Sequence, residues 1–476
     1  MVLYLAAATW CIFHALLHKQ EPQAAMGWIG ICIFMPIAGV LLYLLFGINR
    51  VRARARELQG PGSSLAGYRP VDRFELRQAI ELTPASERLS TLSTIGASLT
   101  GLPLTANNRV ALLDTGEAAY EAMLDAIATA RDRVWLSTYI FDADAVGQRF
   151  VAALANAHQR GADVRVIVDG LGQWYSFPPV REPLRQAGLR HALFLPPRLV
   201  PPSLQINLRN HRKLLIVDRQ TGFTGGMNIS ERHVKLPGQV APKVRDTHFL
   251  MEGPIVGQMA TVFLEDWDFC TGTRDQTERR AARSEQAQPA SHSNGALCRV
   301  VADGPNDEVD KLIVLITGAI ADARQRVLIV TPYFLPTREL SGALQSAAMR
   351  GIEVTVLLPQ RNNLPYVHWA SRHVQARLLR WGIDIRYQPG GFVHSKLLLV
   401  DDDYLLVGSP NLDERSLRLN FELAVEIIDP DAVASAAQSL ASALDASRPV
   451  SAEALQDRPP FIKVRDAVCW LFSPYL

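Results

Sequence analysis

His211, Lys213 and Asp218 recur 183 residues later as His394, Lys396 and Asp401, with the same spacing in each triplet. Both copies run through an apolar tetrapeptide, LLIV or LLLV. Each then reaches a Gly-led turn ending in Asn: Gly225-Gly226-Met227-Asn228 in the first and Gly408-Ser409-Pro410-Asn411 in the second. One three-position pattern arises by chance in a chain of several hundred residues, but duplication with a matching turn at a matching distance removes most of that risk. Such a chain folds as two repeated halves that contribute to one two-histidine site.

Side chains on a strand alternate faces, so His and Lys at i and i+2 share a pocket wall while the apolar run that follows enters a buried sheet. Asp218 and Asp401 complete the signature but lie seven residues past their histidines, an odd step that aims them at the opposite face. Their expected role is to anchor the turn that brings Asn228 and Asn411 back. Two histidines, two lysines and two asparagines, with no Cys or carboxylate cluster at ligand spacing, describe a phosphate site that works without metal or other cofactor. Positioned cations and amides supply most of the stabilisation in phosphoryl transfer. A neutral imidazole can attack phosphorus while a second, protonated one gives its proton to the leaving alcohol and then serves as base. Each imidazole also needs a carboxylate on its far nitrogen to fix its tautomer, and the candidates are Asp246 after the first motif and Glu422 after the second. The expected catalytic set is thus His211, Lys213, Asp218, His394, Lys396 and Asp401. Asn228, Asn411, Ser409, Asp246 and Glu422 are the expected phosphate-binding or supporting residues.

Composition narrows the setting. The 476 residues carry 49 basic and 47 acidic side chains, a net charge of +2, so the basic excess of a nucleic-acid binder is missing. The five cysteines, at 11, 32, 270, 298 and 469, are too scattered to suggest a disulfide framework or a metal site.

The amino terminus departs most from a soluble protein. Residues 26–48 are an uncharged run of 23, about 34 Å as a helix, and predict a transmembrane helix. Residues 2–17 are also uncharged but number only 16, which is marginal for spanning. Together they predict a membrane hairpin. Arg50, Arg52, Arg54 and Arg56 follow directly, which by the positive-inside rule puts the remainder of the chain in the cytoplasm and suits anionic headgroups.

Beyond residue 105 the chain repeats itself. RVWLSTYIF at 133–141 parallels RVLIVTPYF at 326–334, and each is followed by a helical stretch closed by Arg160-Gly161 or Arg350-Gly351 and a short apolar strand. Alternation of this kind predicts an α/β fold of two pseudo-symmetric α/β/α lobes with the site at their interface. The expected boundaries are a membrane hairpin at 1–48, a juxtamembrane linker at 49–105, a first lobe at 106–272, an interlobe linker at 273–295, a second lobe at 296–445 and a tail at 446–476. The tail, with Phe461, Val464, Val468 and Trp470 beside Lys463 and Arg465, reads either as membrane-interfacial or as docked on the protein core. The aromatic, Pro-rich stretches WYSFPPV at 174–180 and LFLPPRLVPP at 193–202 read as the rim of an acyl-chain entry or as loop packing.

HRKLLIVD with GGMN, and VHSKLLLVD with GSPN, resemble the paired motifs of the phospholipase D superfamily. Within it the chain resembles the bacterial cardiolipin synthase family, through PIAGVLLYLLFGINR, TPYFLPT at 331–337, the NFE of 420–422 and the terminal LFSPYL. The resemblance implies a bilobal, phospholipase D-like enzyme of the bacterial inner membrane, multi-pass, with its catalytic lobes facing the cytoplasm. Such an enzyme joins two phosphatidylglycerol molecules into cardiolipin and releases glycerol, with His211 as nucleophile and His394 as acid, then base. It implies a phospholipid substrate and a membrane partner, and no nucleic acid. Two other readings stay open: a hydrolase or transphosphatidylase of the superfamily using another acceptor, and a membrane-anchored lipid-binding protein without catalysis. One departure is visible, Gly226 where the second turn has Ser409, so a hydroxyl contribution to the phosphate pocket is expected from one lobe only.

Overall fold

The computed structural model describes residues 2–19, 22–35, 37–47, 87–197, 208–239, 241–273, 275–286, 295–305 and 310–473. Arg50 to Arg56, half of the 193–202 stretch and part of the interlobe linker lie outside the described residues.

The chain divides into two units, Met1–Leu58 and Gln59–Leu476. In the first, helices Val2–His18, Pro22–Phe34 and Ala38–Leu42 lead into a π-turn at Tyr43–Gly47. Cys11, Ala15, Cys32, Val40 and Tyr43 pack inside it, and Phe13, Leu17, Phe34 and Ile37 face outward. The expected continuous helix over 26–48 is not formed. It stops at Phe34 and restarts at Ala38, around a proline in the sequence, a residue that donates no backbone hydrogen bond and clashes with the preceding turn. No described helix is long and apolar enough to cross a membrane, which corrects the transmembrane hairpin.

The second unit is built on one fifteen-stranded sheet. The first half supplies β1 (Thr105–Leu113), β2 (Arg133–Thr138), β3 (Asp163–Asp169), β4 (Arg190–Phe194), β5 (Leu214–Val217), β6 (Thr221–Gly225) and, after β7 (Val244–Arg245), β8 (His248–Glu252). The second half supplies β9 (Ala296–Asp303), β10 (Arg326–Val330), β11 (Glu353–Pro359), β12 (Asp384–Gln388) and, after β13 (Phe392–Val393), β14 (Leu397–Val400), β15 (Tyr404–Gly408), β16 (Glu422–Ile428) and β17 (Arg448–Pro449). The order is β17-β12-β11-β10-β14-β15-β16-β9-β1-β8-β6-β5-β2-β3-β4, which reads the same from either side of the β9–β1 pair apart from the edge strand β17. In each half the first Arg-Val strand pairs parallel with the next strand and antiparallel with the motif strand: β2 with β3 and β5, β10 with β11 and β14. The halves join where β1 runs antiparallel to β9, with a bulge between Thr105 and Asn108.

The motif strands β5 and β14 are buried along their whole length, as four-residue apolar runs covered on both faces must be. In the first lobe Val134, Leu136, Leu215 and Val217 meet the helices Gly116–Thr129 and Ala145–Gln159. On the other face Trp135 stacks on Phe263 of the helix Ile255–Thr271, ring centroids 5.3 Å apart. In the second lobe a matching core gathers Ile329, Leu398 and Val400 with the helices Lys311–Asp322 and Arg338–Met349. The repeated Arg-Gly closures have one local cause: the Arg160 guanidinium donates to the carbonyl of Ile127 and that of Arg350 to those of Ile320 and Ala323, which fastens each crossover helix to the end of the preceding one.

Segments read as linkers hold structure. Glu87–Thr100 is a helix packed on the second lobe, where Arg299 donates to the carbonyls of Leu92 and Ser93. Gln276–Gln286 is a helix packed against Ile255–Thr271 and held by the 2.6 Å ion pair Arg279–Asp268. The tail forms a helix, Pro460–Leu471, docked on the helix Pro365–Leu379.

Candidate active site

Each motif histidine is held by the opposite half. His211 donates its backbone N–H to the carbonyl of Phe421 at 2.9 Å, and its Nδ1 lies 3.1 Å from Glu422 Oε2. His394 donates its backbone N–H to the carbonyl of Arg245 at 2.7 Å, and its Nδ1 lies 2.7 Å from Asp246 Oδ2. The residue before each carboxylate thus fixes the histidine backbone, and the carboxylate fixes the ring. Parallel contacts make this possible, β13 with β7 on one side and the Asn210–Phe421 bridge on the other. With Nδ1 engaged, Nε2 is the nitrogen left to react.

Lys213 and Lys396 share the wall with their histidines, as the i, i+2 spacing predicts. Each Nζ donates to the carbonyl of its own motif histidine at 2.5 Å, and Lys396 Nζ is 3.0 Å from His394 Nε2. Burial depresses every cation here. It lowers Lys213 to about 7 and Lys396 to about 8, opposed by the Glu422 and Asp246 charges. Burial, aided by Lys396, lowers His394 to about 3 against the pull of Asp246. His211 also moves down, through burial, with Glu422 opposing and Lys213 adding. Burial works against ionisation of Asp246 and Glu422, yet their histidine and lysine neighbours hold both below the ordinary carboxylate range. The empty pocket therefore holds two anionic carboxylates, two neutral imidazoles and two lysines poised near neutrality.

Other expected residues sit differently. Asp218 and Asp401 stand at the far ends of β5 and β14, away from the histidines, and do not anchor the Asn turns. Asp218 accepts the backbone N–H groups of Arg131, Asp132 and Arg133, and Asp401 those of Arg324, Gln325 and Arg326. They clasp the tight entries into β2 and β10. The Ser409 hydroxyl is engaged within the protein: fully buried, it donates to Glu422 Oε2 and accepts the Leu423 N–H. At the equivalent position a Cβ on Gly226 would meet Asp246 Oδ1 at 2.1 Å, so glycine leaves the room that this carboxylate fills. Asn228 accepts the Ile140 N–H at 3.0 Å, and Asn411 donates to Ser416 Oγ at 3.1 Å while its buried Oδ1 has no partner among the described residues.

Sequence reasoning passed over two tyrosines and an arginine. Tyr139 meets His211 edge-on with ring centroids 5.3 Å apart and lies 5.6 Å under Lys213 Nζ; Tyr333 meets His394 at 6.3 Å. Both come from the repeated Arg-Val segments quoted as structure, and their place in that repeat was the available signal. Arg212, between His211 and Lys213, faces the other way. It pairs with Asp266 at 2.6 Å and donates to the carbonyls of Glu422 and Asp303, linking the lobes behind the site. The second motif has Ser395 there.

A palindromic sheet with a duplicated His-Lys motif at its seam defines the phospholipase D-like class. The family model described as "Cardiolipin synthase, PLD-like domain" matches residues 123–267 and 316–444, and "Phospholipase_D-nuclease N-terminal" matches 3–47. Cardiolipin synthase A of Pseudomonas aeruginosa is 36% identical over 421 residues, 87% of this chain and 83% of that protein. The Pseudomonas putida protein of the same name is 32% identical over 470 residues, 97% and 94% of the two chains. The major cardiolipin synthase of Bacillus subtilis is 30% identical over 469 residues, 96% and 95%. Phosphatidylserine synthase of Haemophilus influenzae shares the fold, with a TM-score of 0.62 at 16% identity over 81% of this chain and all of the other. The chain belongs to the cardiolipin synthase family of phospholipase D-like enzymes.

Proposed function

We propose that this chain is a phosphatidyltransferase that joins two phosphatidylglycerol molecules into cardiolipin and releases glycerol. The observation that carries the reading is the crossed pairing of His211 with Glu422 and His394 with Asp246, each through Nδ1, with a motif lysine on the same wall as each ring. His211 Nε2 attacks phosphorus and the bond to the headgroup glycerol oxygen breaks. His394, protonated once the anionic phosphodiester is bound, gives its proton to that oxygen, and glycerol leaves. The phosphatidyl group then rests on His211. The terminal hydroxyl of a second phosphatidylglycerol passes its proton to His394, its oxygen takes the phosphorus, and His211 is regenerated. Lys213 and Lys396 neutralise the equatorial oxygens throughout. Assignment of His211 as nucleophile follows the family resemblance; the hydrogen-bond geometry is nearly symmetric.

The enzyme works at a membrane surface. In support, Tyr175 packs edge-on against Tyr139 beside the site, and Trp174 and Phe177 of the same turn are exposed, apolar side chains suited to lipid. The amino-terminal unit likewise turns apolar residues outward.

The test is to incubate the detergent-solubilised protein with phosphatidylglycerol alone and follow lipid products and glycerol together. Cardiolipin and glycerol in equal amounts, abolished in His211→Ala and in His394→Ala and unaffected by chelator, are expected. Phosphatidic acid as the main product would replace the transferase with a hydrolase, and loss of turnover on chelation with recovery on adding a divalent ion would overturn the metal-free mechanism.

A further inference from the structure

The carboxy-terminal helix Pro460–Leu471 is docked the wrong way round for water. Asp466 points inward, 1% exposed, gripped by Arg458 at 2.5 Å, Arg465 at 2.7 Å and Arg372 at 3.3 Å. Trp470 stacks on His373 with ring centroids 4.8 Å apart, and Arg465 lies 4.1 Å over Trp369. Outward, Phe461, Val464, Val468 and Leu471 form one stripe that Phe472 extends, and Phe461, Val464 and Leu471 are 73%, 61% and 68% exposed. A surface helix normally buries such a stripe and exposes its aspartate.

Beside the stripe an open groove of about 910 Å³ runs between this helix and Pro365–Leu379. Arg372, Arg377, Arg380, Arg458 and Lys463 line it against two carboxylates, Asp457 and Asp466. Asp466 is saturated by its arginines. Arg377 and Arg380 are exposed and have no carboxylate partner among the described residues. None of the motif residues lines the groove.

We propose that this groove binds the phosphate of an anionic phospholipid within a bilayer, with the stripe from Phe461 to Phe472 seated among the acyl chains. A basic rim with an apolar face is what an interfacial helix presents, and tryptophans such as Trp470 favour that depth. A second copy of this chain is the poorer occupant, because a twofold contact would set Arg377 and Arg380 against their own duplicates. The site reaches the catalytic pocket through one element. The helix that forms its wall starts at Pro365, where Val367 and His368 line a small cleft with Tyr333, the tyrosine against His394. From His368 to Arg380 is about 18 Å of helix. The lipid held in the groove is thus a second headgroup, distinct from the substrate phosphate, and it sets the orientation of the pocket to the bilayer.

The test uses the full chain with phosphatidylcholine vesicles, with or without phosphatidylserine, carrying a trace of acyl-chain photo-crosslinking lipid of the same headgroups. Crosslinks mapped to the peptide holding residues 460–471 should appear with phosphatidylserine, survive excess inorganic phosphate, and fall several-fold in Arg377→Gln/Arg380→Gln while turnover of detergent-dispersed substrate is retained. Equal crosslinking in phosphatidylcholine alone, or no change in the double variant, would overturn the proposal. Loss of the crosslink to inorganic phosphate would make the groove a free-phosphate site and overturn it as well. Phe461→Gln/Val464→Gln is the second variant, expected to lose the crosslink with the arginines intact.

Discussion

A methyl group at position 226 would collide with the carboxylate that orients His394, which makes the difference between Gly226 and Ser409 a matter of space. Glutamate on one side is steadied by the Ser409 hydroxyl, whereas the shorter aspartate on the other fills the hole that glycine leaves. Gly226→Ser, the substitution that would make the turns alike, should therefore lower kcat, by about 10–100-fold, the usual cost of losing the partner that orients a functional histidine. Asp246→Ala should cost a similar factor, and the double variant no more than either, because both act through one ring. Measured kcat with circular dichroism as a fold control decides this; additive losses would mean that the glycine serves something other than Asp246. Sequence named Asp246 and Glu422 as candidate carboxylates for the histidines, and each lies against the Nδ1 of a motif histidine. That each serves the opposite lobe was not legible, since spacing along a chain does not say which loop returns beside which.

At the scale of elements, the strands LLIV and LLLV were readable because a run buried on both faces must be apolar throughout. The aspartates ending them were harder. Asp218 and Asp401 adopt positive φ, 51° and 52°, and turn back to collect three N–H groups from the segment entering the neighbouring strand, a contact between residues about eighty positions apart. Sequence assigned them a turn of their own because the local turn is all that a sequence window contains. Removing a carboxylate that satisfies several amides costs about 1–3 kcal/mol for the groups left unpaired. Asp401 is buried and Asp218 is partly open to water, so Asp401→Asn should lower unfolding stability more than Asp218→Asn. Chemical denaturation measures that difference, and turnover per folded molecule should stay near the parent value in both. A collapse of turnover at full stability would return these aspartates to the chemistry. The apolar run 26–48 was misread for a related reason: hydropathy counted its length, whereas the interruption between Phe34 and Ala38 comes from backbone chemistry.

Across the whole molecule, the seam concentrates charge that neither lobe holds alone. Arg212 is wholly buried between Asp266 and two carbonyls of the second half, so Arg212→Met, which strands Asp266, should cost about 3–5 kcal/mol by denaturation. In front of it the pocket keeps Lys213 near 7 and Lys396 near 8 because burial disfavours their charged forms. A phosphodiester anion reverses that preference and raises both. Between the free and bound values the complex carries more protons than the empty enzyme, so binding takes up protons from about pH 7 upward and affinity weakens as pH rises through 7 to 8. Below about pH 6 the lysines are already charged in the free enzyme, and only the proton taken up by His394 remains. Calorimetric titration of a short-chain phosphonate analogue of phosphatidylglycerol, in buffers of different ionisation enthalpy, measures the uptake. Lys213→Met should remove much of it near pH 7. A heat of binding independent of buffer throughout this range would mean that the lysines are fully charged before the lipid arrives and that His394 gains no proton on binding.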